Sequence, residues 1–160
     1  MISLDEHDLA ILRILQSNAK ATITEIAEQC HLTRTPIFER IRKLEEAGII
    51  QSYRAQIDPE RVGFSLHAFC NVSLKEHAAS FLENFENRIL ELPEVVACYH
   101  TAGMFDYLLE IRVVDMDAYR NFISSQLAGI DNIGNVQSFF IMKDLKTGSE
   151  LPLHLSDQFR

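Results

Sequence analysis

The sequence has no tryptophan and only three cysteines, Cys30, Cys70 and Cys98, widely spaced and without a CxxC among them. An odd count at such spacings argues against a disulfide scaffold and fits a reducing cytosol, where buried thiols act as small apolar groups. No apolar run approaches the ~18 residues of a membrane span. The opening "MISLDEHDLAIL" carries acids where a signal peptide carries bases, so a cytoplasmic protein with no membrane role is expected. Glycine-rich phosphate loops, Ser/His/Asp sets and paired carboxylates are also missing. His31 beside Cys30, and Cys98-x-His100, are too sparse for zinc, which takes four ligands at recognisable spacings. Catalysis is therefore the least supported class: no enzyme, no cofactor and no metal are expected.

What is present is an ordinary globular composition, 47% hydrophobic and 24% charged, with a formal net charge of -8. That charge is unevenly placed. Thr33 to Arg54 holds five bases against three acids, a local +2 that leaves -10 for the remainder. A field of that sign repels nucleic acid, so any DNA contact must come from a small, well-aimed patch.

The hydrophobic period is helical up to about Ile50 and strand-like afterwards. Leu9, Ile11, Leu12 and Leu15 form one stripe. "TITE", Thr22 to Glu25, matches a capping box and opens a helix that buries Ile23, Ile26, Ala27 and Cys30. After the turn "HLT", Thr33 is placed to cap a third helix, with Pro36 in its first turn and Ile37, Ile41 and Leu44 as its core stripe. Gly48 stands where a left-handed stop is expected. "IIQSYRAQI" and "SLHAFCNVSL" then alternate as strands do, the second with Leu66, Ala68, Cys70, Val72 and Leu74 on one face. A helix from about Ala78 to Leu92 carries Phe81, Phe85 and Ile89. "VVACYHT" and "YLLEIRVV" read as strands joined by "AGMFD". Asp115 or Asp117 caps a helix bearing Tyr119, Phe122, Ile123 and Leu127, and "NVQSFFIMKDL" is the last strand. The order β-α-β-β-α-β is that of a ferredoxin-like unit. The fold class expected is α+β, with a winged helix-turn-helix domain over 1–55, a linker over 56–63, where Pro59 and Gly63 break periodicity, and a ferredoxin-like domain over 64–160.

Two helices around a three-residue turn, the second one basic, make a helix-turn-helix pattern whose second helix enters the major groove. At about 100° per residue, with Ile37 facing the core, Thr35, Glu39, Arg42 and Glu46 fall on the far side. Phe38 and Lys43 flank them. Arg34 and Thr35 lie at the leading end, with Pro36, within reach of base edges or flanking phosphates. An Arg bidentate to guanine contributes about 1–3 kcal/mol of discrimination, and a threonine or Phe38 can meet a thymine methyl. The candidate DNA-binding residues are Arg34, Thr35, Pro36, Phe38, Glu39, Arg42 and Lys43. A solvated helix face with pairs such as Glu39–Lys43 is the competing account. Arg40 lies nearer the core edge, where a structural role competes with DNA contact.

"LDEHDLAILRILQSNAKATITEIAEQCHLTRTPIFERIRKLEEAGIIQSYRAQIDPERVGF" resembles the N-terminal part of the leucine-responsive/asparagine-regulator (Lrp/AsnC) family of transcription regulators. "ELPEVVACYHTAGMFDYLLEIRV" and the closing "LPL" resemble that family's ligand-sensing half, so the likeness spans essentially the whole chain. It implies a protein that binds double-stranded DNA as a homodimer, assembles further, often to an octamer, and responds to amino acids bound between sensing domains.

In the second half only the turn "TAGMFDY" suggests a site. Gly103 can supply a positive φ or admit a ligand closely, Asp106 can accept from a ligand ammonium, and turn amides can receive a carboxylate. Gly and Asp are equally ordinary hairpin residues, and Asp106 serves as well as a turn cap. The resemblance implies that this loop lines the effector cleft and carries over to Gly103 and Asp106. The candidate effector residues are Thr101, Ala102, Gly103, Met104, Phe105 and Asp106. Ala102, Met104 and Phe105 depart from the family's commoner threonine, polar or acidic residue, and tyrosine. Each departure removes a hydrogen-bonding group and points to an apolar amino acid such as leucine or methionine, or to no effector. Dimerisation through the sheet would cover Phe69, Phe139 and Phe140. The function expected is an effector-modulated transcription regulator. The alternatives are a metabolite-binding oligomer that does not touch DNA, and a small enzyme on a ferredoxin-like scaffold.

Overall fold

Three helices open the chain: α1 (Glu6–Ser17), α2 (Ile23–Cys30) and α3 (Arg34–Glu46). The computed structural model describes residues 3–148 and 150–153. α1 begins with a capping box in which Asp5 accepts from the Asp8 amide and Asp8 from the Asp5 amide. α2 begins with the expected Thr22–Glu25 box. Thr33 has the extended backbone of a cap residue at the head of α3, but its hydroxyl caps nothing. Gly48 ends α3 at φ +68°, a conformation that costs a residue with a Cβ. Leu9, Ile11, Ile26, Ile37 and Leu44 are fully or almost fully buried among these helices.

Residues 49–57 differ from expectation. Their alternation reads as a strand, yet they join no ladder among the described residues, and 51–57 are exposed. A strand needs a neighbour to hydrogen-bond, and alternation alone does not supply one. Tyr53 ties the segment to α3 by donating to Glu45 Oε1 at 2.8 Å. The described residues after 145 also pack with the helices rather than with the sheet. Arg13 donates from Nε and Nη2 to the Leu153 carbonyl at 3.0 and 2.7 Å, and the Leu151 amide donates to Gln16 Oε1 at 2.8 Å.

Residues 58–145 form a second unit. After a short 3₁₀ turn at Glu60–Val62 come β1 (Leu66–Leu74), α4 (Ala79–Leu90), β2 (Val95–His100), β3 (Tyr107–Val113), α5 (Met116–Asn121) with a π-helical extension Phe122–Leu127, and β4 (Ile133–Phe140). The sheet order is β2-β3-β1-β4, all neighbours antiparallel, which is the ferredoxin-like arrangement. Asp115 caps α5 by accepting from the Ala118 amide. One face of the sheet presents Ala68, Cys70, Val72, Leu109 and Ile111 to Phe85, Ile89, Phe122 and Leu127 of the helices, all buried. Each such large side chain stabilises the fold by about 1.5–3 kcal/mol. In α4 it is Leu82 that packs inward alongside Phe85 and Ile89, and Phe81 lies outside that core.

The three phenylalanines expected to be covered by dimerisation lie on two faces of the sheet. Phe69 pairs with Phe139 on the face away from the helices, while Phe140 pairs with Ala68 on the helix side and meets the Tyr119 ring edge-on at 5.0 Å. Successive strand residues point to opposite faces, so Phe139 and Phe140 cannot cover the same surface.

Candidate functional site

α2 leaves its last turn through His31, which sits in the left-handed region at φ 54° and lets the chain reverse sharply into α3. Burial of Ile37 and Leu44 then sets the rotation of α3. With that stripe inward, Arg34, Thr35, Arg42 and Lys43 are exposed, Phe38 is half exposed, and Pro36 and Glu39 are partly covered. These seven candidates lie on one helix, but the bases are not equivalent. Arg42 Nη2 donates to Glu39 Oε2 at 2.9 Å and its Nε lies 3.6 Å from Glu46 Oε1. Arg42 is thus held by two carboxylates of its own helix. The Glu39 partner is Arg42, not the expected Lys43. Arg40 points the other way: Nη1 lies 2.6 Å from Asp8 Oδ1 and 2.7 Å from Asp5 Oδ2, fastening α3 to the head of α1. Burial works to raise the Asp5 pKa, but the Asp8 amide and Arg40 together hold it below the usual carboxylate value.

The second candidate region is the β2–β3 turn. Thr101 closes it twice, its amide donating to the Asp106 carbonyl at 2.7 Å and its hydroxyl to the Phe105 carbonyl at 2.6 Å. The Asp106 amide donates to the Val72 carbonyl at 2.9 Å. Its carboxylate accepts from the Leu74 amide at Oδ2, 2.7 Å, and faces His77 Nε2 from Oδ1 at 2.9 Å. The Leu74 hydrogen bond, opposed by partial burial and supported by His77, keeps the Asp106 carboxyl below its ordinary pKa, so it is ionised at neutral pH. Gly103 does not have a positive φ, which corrects that part of the expectation. A Cβ there would meet nothing within 4 Å, so the glycine leaves open space in front of the turn. Ala102 and Met104 are exposed, Met104 at 88%, and Phe105 is partly covered.

The sequence reading missed the polar ring behind this turn. His77, in the β1–α4 connection, is 29 residues from Asp106, and no spacing signals that pairing. On the other side of the same connection the Lys75 and Glu76 amides donate to the carbonyl and side chain of Asn132, itself left-handed at φ 70°. The three loops at this end of the sheet are thus tied together. Next to the turn, Tyr107 donates to Glu86 Oε1 at 2.9 Å, and burial pushes its hydroxyl pKa up. The His100 ring stacks on Tyr107 at 4.7 Å.

Among the described residues no group of three or more His, Cys, Asp and Glu is placed to hold a metal ion. No helix among them is long and apolar enough to cross a membrane. A groove of about 550 Å³ in the first unit is lined by Leu12, Leu15, Ile49, Ile50, Tyr53 and Leu151, among others. A cleft of about 330 Å³ in the second lies between Lys75 and the π-helical segment. Neither includes the turn or the exposed face of α3.

Comparison with known proteins also finds two parts in the chain. Residues 4–51 match a family model described as winged helix-turn-helix DNA-binding, and residues 67–151 match the Lrp/AsnC ligand binding domain. A Bkd operon transcriptional regulator from Pseudomonas aeruginosa is 35% identical over 153 residues, covering 96% of this chain and all of that protein. The leucine-responsive regulatory protein of Escherichia coli is 33% identical over 148 residues, covering 92% of this chain and 90% of its own length. Among solved structures, a Neisseria meningitidis transcriptional regulator in complex with L-methionine superposes with a TM-score of 0.89 at 36% identity, covering 93% of this chain and 96% of that one.

Proposed function

This chain belongs to the Lrp/AsnC family of DNA-binding transcription regulators, and on that premise we propose how its residues divide the work. It is a regulator and not an enzyme: a winged helix-turn-helix binds DNA, and a ligand-binding domain takes a small effector. That sets aside the alternative of a metabolite-binding oligomer with no DNA contact.

The exposed row on α3 carries the DNA proposal. Arg34 and Thr35 reach base edges at the leading end, with Pro36 shaping the first turn and Phe38 offering an apolar contact. Lys43 contacts phosphate, and Arg42 does so after leaving Glu39 and Glu46, with Glu39 setting its position. One helix makes few phosphate contacts, so two copies on a two-fold axis meet half-sites about 34 Å apart. The acidic remainder of the chain suppresses indiscriminate binding.

The turn from Thr101 to Asp106 receives the effector. Asp106 accepts an α-ammonium, and the open space at Gly103 admits the ligand. Ala102, Met104 and Phe105 present an apolar wall, with Thr101 holding the turn closed. This favours an apolar amino acid, and the L-methionine complex of the Neisseria relative supports that choice. The homodimer assembles through the sheet face bearing Phe69 and Phe139, and dimers assemble to an octamer in the cytoplasm. Effector binding changes dimer packing, which requires unequal affinity for two assembly states.

Titration calorimetry with an amino-acid panel tests the site. L-leucine or L-methionine binds and L-lysine does not; lysine binding with leucine and methionine inert overturns the apolar assignment. Sedimentation with and without the bound amino acid tests the mechanism, which an unchanged assembly and an unchanged DNA footprint would remove.

A further inference from the structure

His77 belongs to none of the motifs above, yet it is the side chain in closest charge contact with the effector turn. Its Nε2 lies 2.9 Å from Asp106 Oδ1, and its side chain is 60% exposed on the other side. Asp106 Oδ2 is committed to the Leu74 backbone amide at 2.7 Å. A carboxylate offers about four acceptor positions, so an incoming ammonium has room on Oδ1, where it shares the oxygen with the imidazole. A neutral imidazole donates one hydrogen bond there and leaves the charge of Asp106 uncompensated. An imidazolium cancels that charge and repels a second cation at the same atom.

We propose that His77 controls the effector affinity of this turn: neutral, it leaves Asp106 free to take an α-ammonium, and protonated, it competes with that ammonium. The proposal rests on the reading that Asp106 receives the effector's ammonium. The turn then binds effector in a pH-dependent way, more tightly where His77 carries no charge. Among the described residues, the other charged or titratable groups at this end of the sheet are His100, Glu86, Lys75, Glu76 and Asp131. His100, at the end of β2, also lowers the Asp106 pKa through its field. Glu86 on α4 lies 3.8 Å from His100 Nδ1, and Lys75 and Glu76 adjoin His77 in sequence. Of these, His77 alone hydrogen-bonds to the carboxylate of Asp106 through a side chain.

The test is calorimetry of the full chain with L-methionine and L-leucine between about pH 5.5 and pH 7.5, in buffers of different ionisation enthalpy. In the unmodified protein affinity rises about two- to fivefold with pH, the range for an exposed ion pair. Binding releases protons, as linkage demands for an affinity that rises with pH. His77→Gln keeps a donor to Asp106 without the titration, so its affinity is flat and the proton release vanishes, while His100→Gln retains both. A flat profile in the unmodified protein, or a slope that survives in His77→Gln, overturns the proposal.

Asp106→Asn, which keeps an oxygen for the Leu74 amide, separates the two layers. If it abolishes binding while His77→Gln leaves the slope intact, the role of His77 falls and that of Asp106 stands. If it binds as the unmodified protein does, or if neither amino acid binds the unmodified protein at any pH, both fall.

Discussion

Replacing Arg40 by Met and, separately, Arg42 by Ala asks whether two bases two residues apart have different jobs. Arg40 spans from α3 to the first turn of α1, where it meets Asp8, whose side chain is 13% exposed, and Asp5, which is 51% exposed. Arg40→Met preserves the aliphatic stem, so the loss is of the charged contacts. A charge-assisted hydrogen bond at a partly covered site contributes about 1.5–3 kcal/mol, and an exposed pair adds under about 1. Asp5 and Asp8 remain at a helix N-terminus, which favours anions and recovers part of the loss. The net cost is about 2 kcal/mol, or about 8–16 °C in the unfolding midpoint of a domain this small. Arg42→Ala breaks only surface pairs and shifts stability by less than about 0.5 kcal/mol. DNA binding reverses the ranking. In a salt series of fluorescence anisotropy on random-sequence duplex DNA, Arg42→Ala reduces the slope of log affinity against log salt by about 0.9, while Arg40→Met leaves it unchanged. Asp8→Asn combined with Arg40→Met costs less than the sum of the two single changes, because both remove the same pair. An Arg40→Met protein that melts within a degree or two of the parent and loses about 0.9 in slope would refute the division of labour.

The remaining predictions use simpler readouts. Gly48→Ala forces a Cβ into φ +68° with no contact to relieve it, so the urea midpoint falls by the equivalent of about 1–2 kcal/mol, and Gly48→Asn recovers part of that. Phe139→Asp lowers the assembly state in sedimentation with the helical signal retained, whereas Phe140→Asp, on the Tyr119 side of the sheet, lowers the melting temperature; an unchanged assembly in Phe139→Asp excludes this face as the interface. Arg112, then His67, hold the Asp144 carboxyl below its ordinary pKa, so its contribution is complete above the unfolded value of about 3.9 and is lost as pH falls through the folded one. Urea midpoints taken from neutral pH to about pH 3 therefore drop less in Asp144→Asn than in the parent.

The parts legible in the sequence were those set by neighbours three or four residues apart. The Thr22–Glu25 cap, the Ile37/Leu44 stripe, the stop at Gly48 and the alternation of β1 all depend on local geometry that the chain carries with it. So did the outward rotation of Arg34, Thr35 and Lys43, because core burial of one stripe sets the direction of the rest. Residues 49–57 show the limit of such reasoning, since their alternation is a strand pattern and pairing needs a second strand that none of the described residues brings to them.

By itself, then, the sequence determined two domains' worth of helices and strands, the basic second helix, and a turn with a carboxylate at its end. Only the tertiary structure decided that Arg40 belongs to Asp5 and Asp8, that Phe139 and Phe140 face opposite ways in the assembled sheet, and that Asp106 is shared with Leu74 and His77. The reason is distance along the chain. His77 is 29 residues from Asp106 and Arg40 is 32 from Asp8. Electrostatic partners so far apart are chosen by how whole elements pack, and no local period encodes that choice.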